Sequence, residues 1–137
     1  MTLKVDGQCH CGAIAYEAEV DPGTMAICHC EDCQTLTGTA FRANIAASAA
    51  NFRLLTGTPR RYIKTAASGA QRVHAFCETC GAPVYSCATE NPRSYSLRVG
   101  ALRQRAQLPP PARQIWTKRR LPWVNALADV PSIEGQP

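Results

Sequence analysis

The sequence predicts a mainly β protein whose sheets are held together by zinc, with at most short helical turns. Apolar and polar residues alternate over short stretches, and turn residues such as glycine and proline separate these stretches. No segment carries the apolar periodicity of a long helix. Seven of the eight cysteines fall in three short clusters, which favours metal ligands over a disulfide framework, and only Cys87 stands apart.

Length and composition indicate one soluble domain over residues 1–137. A chain of 137 residues can bury one hydrophobic core, and its 45% hydrophobic and 18% charged residues are typical of globular proteins. We expect the core within residues 5–102, followed by a proline-rich connector and a C-terminal segment over 103–137. No apolar run reaches the roughly 18–20 residues of a membrane span, and the polar start lacks a signal-peptide pattern. We therefore expect a cytoplasmic protein with no membrane partner.

The first strand is predicted over residues 13–20, where alternate side chains are apolar, and a turn is expected at 21–23. Further strands are predicted over residues 41–47, 60–65, 71–76, 82–87, 94–99 and 114–117. The segment after Cys33 fits either a single helical turn that ends at Gly38 or a plain loop. The architecture is mainly β in either case.

The formal net charge of +5 would suit a nucleic-acid partner, but metal binding changes it. Metal-bound thiols lose their protons, so seven thiolates and two zinc ions would lower the net charge to about +2. A net charge of about +2 does not favour a nucleic-acid partner, because it is equally compatible with a small acidic ligand. The basic run at 118–120 is interpreted as a solvated loop, and Trp116 and Trp123 are expected in the core rather than in a ligand groove.

Cys28, Cys30 and Cys33 are predicted to form an open zinc site around which the chain is organised. Their spacing lets three sulfurs turn toward one point, and thiolates suit zinc, with sulfur about 2.3 Å from the metal. Three protein ligands leave the fourth tetrahedral position for a substrate, which distinguishes catalytic zinc sites from closed structural ones.

A fourth ligand from the chain remains an alternative to the open site. Cys87 could complete it, although a lone strand cysteine is more often a small buried residue. His10 and His29 could also ligate, but each lies between two cysteines of an extended stretch, so its side chain tends to point away from the sulfurs. His74 alternates with apolar residues and is interpreted as a surface or packing histidine.

Cys77 and Cys80 are spaced as a zinc knuckle, in which two sulfurs of a tight turn share one metal. The other half of the tetrahedral site must come from elsewhere, and Cys9 and Cys11 are the natural partners. Such a closed site would tie the N-terminal hairpin to residues more than sixty positions later, so metal binding would be coupled to folding. We expect two zinc ions per chain, one structural and one catalytic, of which the catalytic ion is the more labile.

The open cluster favours chemistry on a thiol. Three thiolates and Zn²⁺ carry one net negative charge, which makes the metal a weak Lewis acid toward water. Such a site is better suited to hold a substrate thiol as a thiolate near neutral pH. Formation or cleavage of a carbon–sulfur bond is the reaction that this arrangement favours.

Taken together, these motifs resemble the glutathione-dependent formaldehyde-activating enzyme (GFA) family. The resemblance covers residues from about 5 to 102 and a Pro-Trp pair near the end. It is carried by Gly7-Gln8-Cys9-His10-Cys11-Gly12, by Cys28-His29-Cys30-Glu31-Asp32-Cys33-Gln34 with Gly38 and Phe41, by Phe76-Cys77-Glu78-Thr79-Cys80-Gly81, and by Pro122-Trp123. One departure is Gly100-Ala101-Leu102, where the family often has Gly-Thr-Leu.

The resemblance implies a β-tent fold and a carbon–sulfur lyase that reversibly condenses glutathione with formaldehyde to S-(hydroxymethyl)glutathione. It implies a small-molecule thiol such as glutathione as the partner, but it assigns no glutathione-contacting residue. The structural zinc ligands that it implies are Cys9, Cys11, Cys77 and Cys80, and the catalytic zinc ligands are Cys28, Cys30 and Cys33.

Two other functions stand beside the lyase. Related β-tent folds also serve as non-catalytic zinc-binding interaction modules, and methionine sulfoxide reductases occur on similar folds. A reductase would need a redox cysteine outside the metal clusters, for which Cys87 is the candidate. The open three-cysteine cluster favours the lyase, and the lack of a long basic tract disfavours a nucleic-acid adaptor.

Overall fold

Antiparallel β-strands account for most of the regular structure in the computed structural model, which describes residues 1–137. The strands are β1 Leu3–Gln8, β2 Ala15–Cys28, β3 Arg42–Ser48, β4 Phe52–Thr56, β5 Arg60–Thr65, β6 Gln71–Phe76, β7 Pro83–Ala88, β8 Ser94–Arg98 and β9 Arg113–Ile115. The single α-helix, α1, spans Glu31–Thr37, and short 3-10 helices lie at Ala49–Asn51, Val99–Ala101, Arg105–Gln107, Thr117–Arg119 and Pro122–Asp129. The mainly β prediction is confirmed. None of these helices combines the length and apolar character that crossing a membrane requires.

The long strand β2 connects the parts of the sheet. The strand order is β1-β2-β3-β8-β7-β6-β5, and all of these neighbours are antiparallel. Through its first half β2 pairs with β1 and β4, and through its second half it pairs with β3 and, in parallel, with β9. The second half of β2 ends at Cys28, so this pairing sets the position of the first cysteine of the three-cysteine cluster.

The turn predicted at residues 21–23 is wrong, because β2 continues through it. The pairing of β2 with β3 shifts register between Asp21 and Ala26, as in a β-bulge. The Asp21 carboxylate accepts a hydrogen bond from the Gly23 N–H at 2.9 Å, and the Thr24 hydroxyl donates to the Asp21 carbonyl at 2.6 Å. The Thr24 oxygen also accepts from the Ala46 N–H of β3 at 2.9 Å. These hydrogen bonds satisfy the polar groups of the bulge, so the strand continues through the residues that were predicted to form a turn.

The main hydrophobic core packs around four large side chains that are almost fully buried, Tyr16, Ile45, Leu97 and Leu102. Phe52 of β4, a strand that the sequence analysis did not predict, closes this core by packing against the Tyr16 ring, with centroids 5.2 Å apart. At Gly7 an added Cβ would lie 1.9 Å from Cζ of Tyr16, so this strand position admits only glycine. The core thus fixes β1 against β2, directly before the first cysteine pair.

The two tryptophans are not in the core, contrary to the prediction. Trp116 and Trp123 are 49% and 51% exposed. They follow the short strand β9, and no residue after Leu102 is buried. The physical reason is that no other part of the chain packs over this segment, so its side chains remain exposed. The basic run at 118–120 lies in the same surface segment, but Lys118 and Arg119 belong to a short 3-10 helix rather than to the predicted loop.

Candidate metal centres

Four cysteines from two distant turns meet in one cluster, which we call the four-cysteine cluster. It consists of Cys9 and Cys11 after β1 and of Cys77 and Cys80 after β6, and all four sulfurs lie within 4.8 Å of one another. The Sγ atoms of Cys9 and Cys11 are 3.6 Å apart, and those of Cys11 and Cys77 are 3.7 Å apart. A regular tetrahedron with a zinc–sulfur distance of about 2.3 Å has edges of about 3.8 Å. The donor set therefore fits a closed four-sulfur zinc site.

Tight turns with a left-handed glycine position these sulfurs. Gly12 has φ 84° and Gly81 has φ 79°. Their N–H groups donate to the carbonyls of Cys9 and Cys77 at 3.2 and 2.7 Å, which closes each turn. The N–H of Ile14 donates to the Cys9 sulfur at 3.3 Å. Such backbone donors favour thiolates over thiols, and they prepare the cluster for a cation.

The second group, the three-cysteine cluster, comprises Cys28, Cys30 and Cys33, whose sulfurs also lie within 4.8 Å of one another. Cys28 ends β2, Cys30 is the N-cap of α1, and Cys33 lies in the first helical turn. The Cys30 sulfur accepts a hydrogen bond from the Cys33 N–H at 3.3 Å. Of the two alternatives for the following segment, the helix is observed. It ends at Gly38, as predicted, but it begins before Cys33 rather than after it.

None of the residues considered as a fourth ligand belongs to the three-cysteine cluster. His29 is fully buried, but its Nε2 contacts the Gln114 side chain at 2.7 Å, and its ring packs against Phe41. Cys87 is 4% exposed within a small apolar cluster with Val73 and Ala75, as the interpretation of it as a buried residue predicts. The three-cysteine cluster therefore offers three sulfur ligands and leaves one tetrahedral position for a molecule from outside the chain.

Hydrogen bonds connect the C-terminal segment to residues next to the cysteines of the three-cysteine cluster. Gln34 of α1 donates to the carbonyl of His29 at 2.8 Å and to the carbonyl of Arg119 at 3.0 Å. The His29 N–H donates to the carbonyl of Ile115 at 3.1 Å. The contacts with Ile115 and Arg119 span about eighty-five residues of sequence, so the motifs alone could not predict them.

The pKa values of the three thiols respond to burial and to neighbouring groups. Burial raises the pKa of Cys28 to about 12. Burial also raises the pKa of Cys33, although the adjacent Arg42 guanidinium acts in the opposite direction. Without a cation these two thiols are therefore protonated at neutral pH, and binding a metal here must release protons.

Two clefts share a wall formed by two buried arginines, one of which, Arg42, contacts Cys33 of the three-cysteine cluster. None of the three cysteines of that cluster lines either cleft, and Cys9 of the four-cysteine cluster lines the large one. The large cleft has a volume of about 600 Å³, and the small cleft has a volume of about 330 Å³. Arg42 of β3 and Arg98 of β8 line both, with exposures of 5% and 6%. His74 lines the small cleft, and its Nδ1 lies 3.1 Å from Arg98. Burial, followed by the charge of Arg98, lowers the pKa of His74 to about 4, so the ring is neutral at pH 7.

Neither arginine was predicted as a site residue, because a charged residue in a strand ordinarily indicates a solvent-facing position. The only signal was the placement of Arg42 directly after Phe41, at the end of the three-cysteine motif. Arg98 gave no comparable signal, since its neighbours alternate as in an ordinary half-buried strand.

Metal content provides the first test of the two clusters. Protein purified without chelator should contain two zinc ions per chain, because one set of four sulfurs and one set of three are both preformed. Elemental analysis should show a decrease to one zinc per chain in Cys30→Ser, and the control Cys87→Ser should retain two. A wild-type content of one zinc that Cys30→Ser does not change would contradict metal binding by the three-cysteine cluster.

The fold and the two clusters define a mainly β protein with one closed and one open cysteine set, each suited to zinc. Residues 4–119 match the family model described as "Glutathione-dependent formaldehyde-activating enzyme". The chain belongs to this family, which confirms the resemblance found in the sequence motifs.

A solved structure of similar fold comes from Rhodobacter sphaeroides. This crystal structure superposes with a TM-score of 0.60 at 23% sequence identity, over 80% of this chain and 98% of the other. At this identity the similarity concerns the fold alone. The comparison with curated proteins found no match.

Proposed function

We propose that this protein is a zinc-dependent carbon–sulfur lyase of the glutathione-dependent formaldehyde-activating type, acting on a thiol–aldehyde adduct. Membership of the family supports the type of reaction. The observation that carries the proposal is the three-cysteine cluster, whose sulfurs converge without a fourth ligand from the chain. Arg42, which contacts Cys33, also lines a cleft through which a small molecule can approach. In the reversible reaction the thiol sulfur adds to the carbonyl carbon, and the thiol proton is transferred to the carbonyl oxygen.

The proposal assigns one zinc ion to each cluster. Cys9, Cys11, Cys77 and Cys80 would hold a structural zinc, and Cys28, Cys30 and Cys33 would hold a catalytic zinc, within a single domain over residues 1–137. Zinc bound by three thiolates supplies a position at which a substrate thiol is held as the nucleophilic thiolate. Seven thiols must remain reduced to bind metal, so the proposal places the protein in a reducing compartment such as the cytoplasm.

The chain itself supplies the surroundings that this chemistry needs. The backbone of α1 and its N-cap hold the sulfurs of Cys30 and Cys33 in fixed relative positions. The Arg42 guanidinium beside Cys33 offsets the negative charge that three thiolates bring together. Cys28 and Cys33 are buried, so the cluster is largely shielded from solvent and competing water is reduced.

A non-catalytic interaction module remains the second candidate, and one observation favours it. Five large apolar side chains of the C-terminal segment are about half exposed or more, namely Trp116, Trp123, Leu127, Val130 and Ile133. Such a surface suits a macromolecular partner. Under this alternative both clusters would serve the fold, and no small thiol would bind.

Thiol binding distinguishes the two candidates. In a cobalt-substituted sample, glutathione should increase the thiolate charge-transfer absorption, because its sulfur adds a fourth thiolate to the three-cysteine cluster. S-methylglutathione is the control, since it keeps both carboxylates but cannot supply a thiolate. If both ligands gave the same spectrum, or if neither changed it, thiol capture would be excluded and the interaction module would be the better assignment.

A further inference from the structure

Arg42 and Arg98 are buried cations for which the chain provides no carboxylate partner. Their exposures are 5% and 6%, yet neither takes part in any of the four ion pairs of the protein. Burial lowers the pKa of Arg98 to about 9, with a further contribution from the charge of Arg42. Arg98 therefore carries its charge at neutral pH, and both arginines line the two clefts.

The hydrogen bonds of these arginines are incomplete as well. Arg98 donates from Nη1 to Asn44 Oδ1 at 2.6 Å and contacts neutral His74 with Nη2 at 3.1 Å. The Nε–H groups of Arg42 and Arg98 are buried without any acceptor. An unmet hydrogen bond of a buried charged group costs more than about 1–3 kcal/mol, so such donors in a cleft wall point to an acceptor that comes from outside.

The charge around the large cleft exceeds what the three-cysteine cluster can balance. Three thiolates with zinc would carry one negative charge, which compensates one of the two buried guanidinium groups. Arg103 and Arg105 also line this cleft, and Asp6 is its only carboxylate. Asp6 does not pair with them, because its Oδ2 accepts from the Gln104 side chain at 3.0 Å. The cleft therefore retains an excess of positive charge.

We propose that Arg42 and Arg98 form a carboxylate-binding site that anchors the substrate of the three-cysteine cluster. Guanidinium groups are the preferred protein partners of carboxylates, since their planar donors match both oxygens. Because Arg42 also lies beside Cys33, a carboxylate bound there is close to the metal position. The substrate class is thus an acidic molecule, with its carboxylate either on the thiol or on the carbonyl compound. This inference rests on the proposed function for the identity of the ligand, but the anion site itself does not require catalysis.

Calorimetric titration of zinc-loaded protein tests the site without measuring turnover. S-methylglutathione carries the carboxylates of a thiol substrate, and glyoxylate carries a carboxylate on a carbonyl substrate. At least one probe should bind, and its affinity should fall by about tenfold or more in Arg42→Met and in Arg98→Met. Arginine-dependent binding of S-methylglutathione assigns the carboxylate to the thiol, and arginine-dependent binding of glyoxylate assigns it to the carbonyl compound.

Arg61→Met is the matched control, because Arg61 is exposed on β5 and lines neither cleft. It should bind the probe as the wild type does. Binding of neither probe, or equal affinity in the wild type and both cleft variants, would overturn the site. If a cleft variant fails to fold, the site can be tested by NMR on the wild-type protein. The Nε–H resonances of Arg42 and Arg98 should shift when the probe is added. Unmoved resonances would count against the proposal.

Glutathione dimethyl ester separates this inference from the proposed function. The ester keeps the thiol but removes the carboxylates, so it should bind cobalt-substituted protein more weakly than glutathione does. Equal affinity of the ester and glutathione, with a clear thiolate signal from each, would support the lyase and overturn the carboxylate site. Arginine-dependent binding of S-methylglutathione, together with no thiolate signal when glutathione itself is added, would support the carboxylate site and overturn the lyase.

Discussion

Replacement of Cys80 by serine should lower the melting temperature by at least about 10 °C, or prevent folding. Cys80 is exposed, so the exchange of sulfur for oxygen removes no core packing. It does remove one of four ligands that join the turn after β1 to the turn after β6. Because zinc binds the folded arrangement and not the separated turns, loss of the metal is loss of folding free energy. Thermal denaturation followed by circular dichroism measures the change.

Thr79→Ala is the control for this prediction, since Thr79 is exposed in the same turn and provides no sulfur. Its melting temperature should stay within about 2 °C of the wild type, as for most surface substitutions. A Cys80→Ser protein as stable as Thr79→Ala, with its zinc content unchanged, would show that the four-cysteine cluster does not stabilise the fold through metal.

Replacement of Cys30 by serine should abolish the reaction with glutathione and formaldehyde while the protein remains folded. Serine is a preferred N-cap residue, so its hydroxyl can accept from the Cys33 N–H as the Cys30 sulfur does. The helix is therefore retained, but the three-cysteine cluster loses a ligand. Removing a group that merely orients a metal ligand already costs about 10–100-fold, so loss of a ligand should reduce adduct formation by more than about 100-fold. The rate of adduct formation and the melting temperature are the two measurements.

Cys87→Ser provides the comparison, because Cys87 is a buried cysteine outside both clusters. We expect it to lose some stability through burial of a hydroxyl group and to keep its activity. Retention of activity in Cys30→Ser would contradict the catalytic assignment of the cluster. Equal destabilisation by Cys30→Ser and Cys80→Ser would contradict the division into a structural and a catalytic site.

Those parts of the site that depend on local spacing could be predicted from the sequence. Two cysteines in a tight turn share a metal wherever the turn is placed, so Cys77 and Cys80 were recognisable from their separation alone. Cys9 and Cys11 were expected as the partners because they are close in sequence and are followed by Gly12, and the structure brings all four sulfurs together. The strands β5 and β6 were predicted with their observed bounds, because each has clear turn residues on both sides.

Other features depend on which segments pack together, and that information is not local. Trp116 is exposed because nothing covers the C-terminal segment, although its composition alone favoured burial. Arg42 and Arg98 are buried because β3 and β8 are adjacent, with Asn44 opposite Arg98 in the ladder. A periodic pattern assigns an arginine to the solvent face of a strand, and only the three-dimensional arrangement reveals that this face lines a cleft.

The parallel pairing of β9 with β2 has a consequence for the order of events during protein synthesis. Translation proceeds from the N-terminus, so Cys28, Cys30 and Cys33 leave the ribosome long before Gln114, whose side chain meets His29 in the folded protein. During that interval β9 cannot yet cover the segment, and the three thiols of the nascent chain are accessible to metal ions and to oxidants alike. In the folded protein Ile115 of β9 pairs with Cys28, so this edge of the cluster is completed only after the last strand has been synthesised.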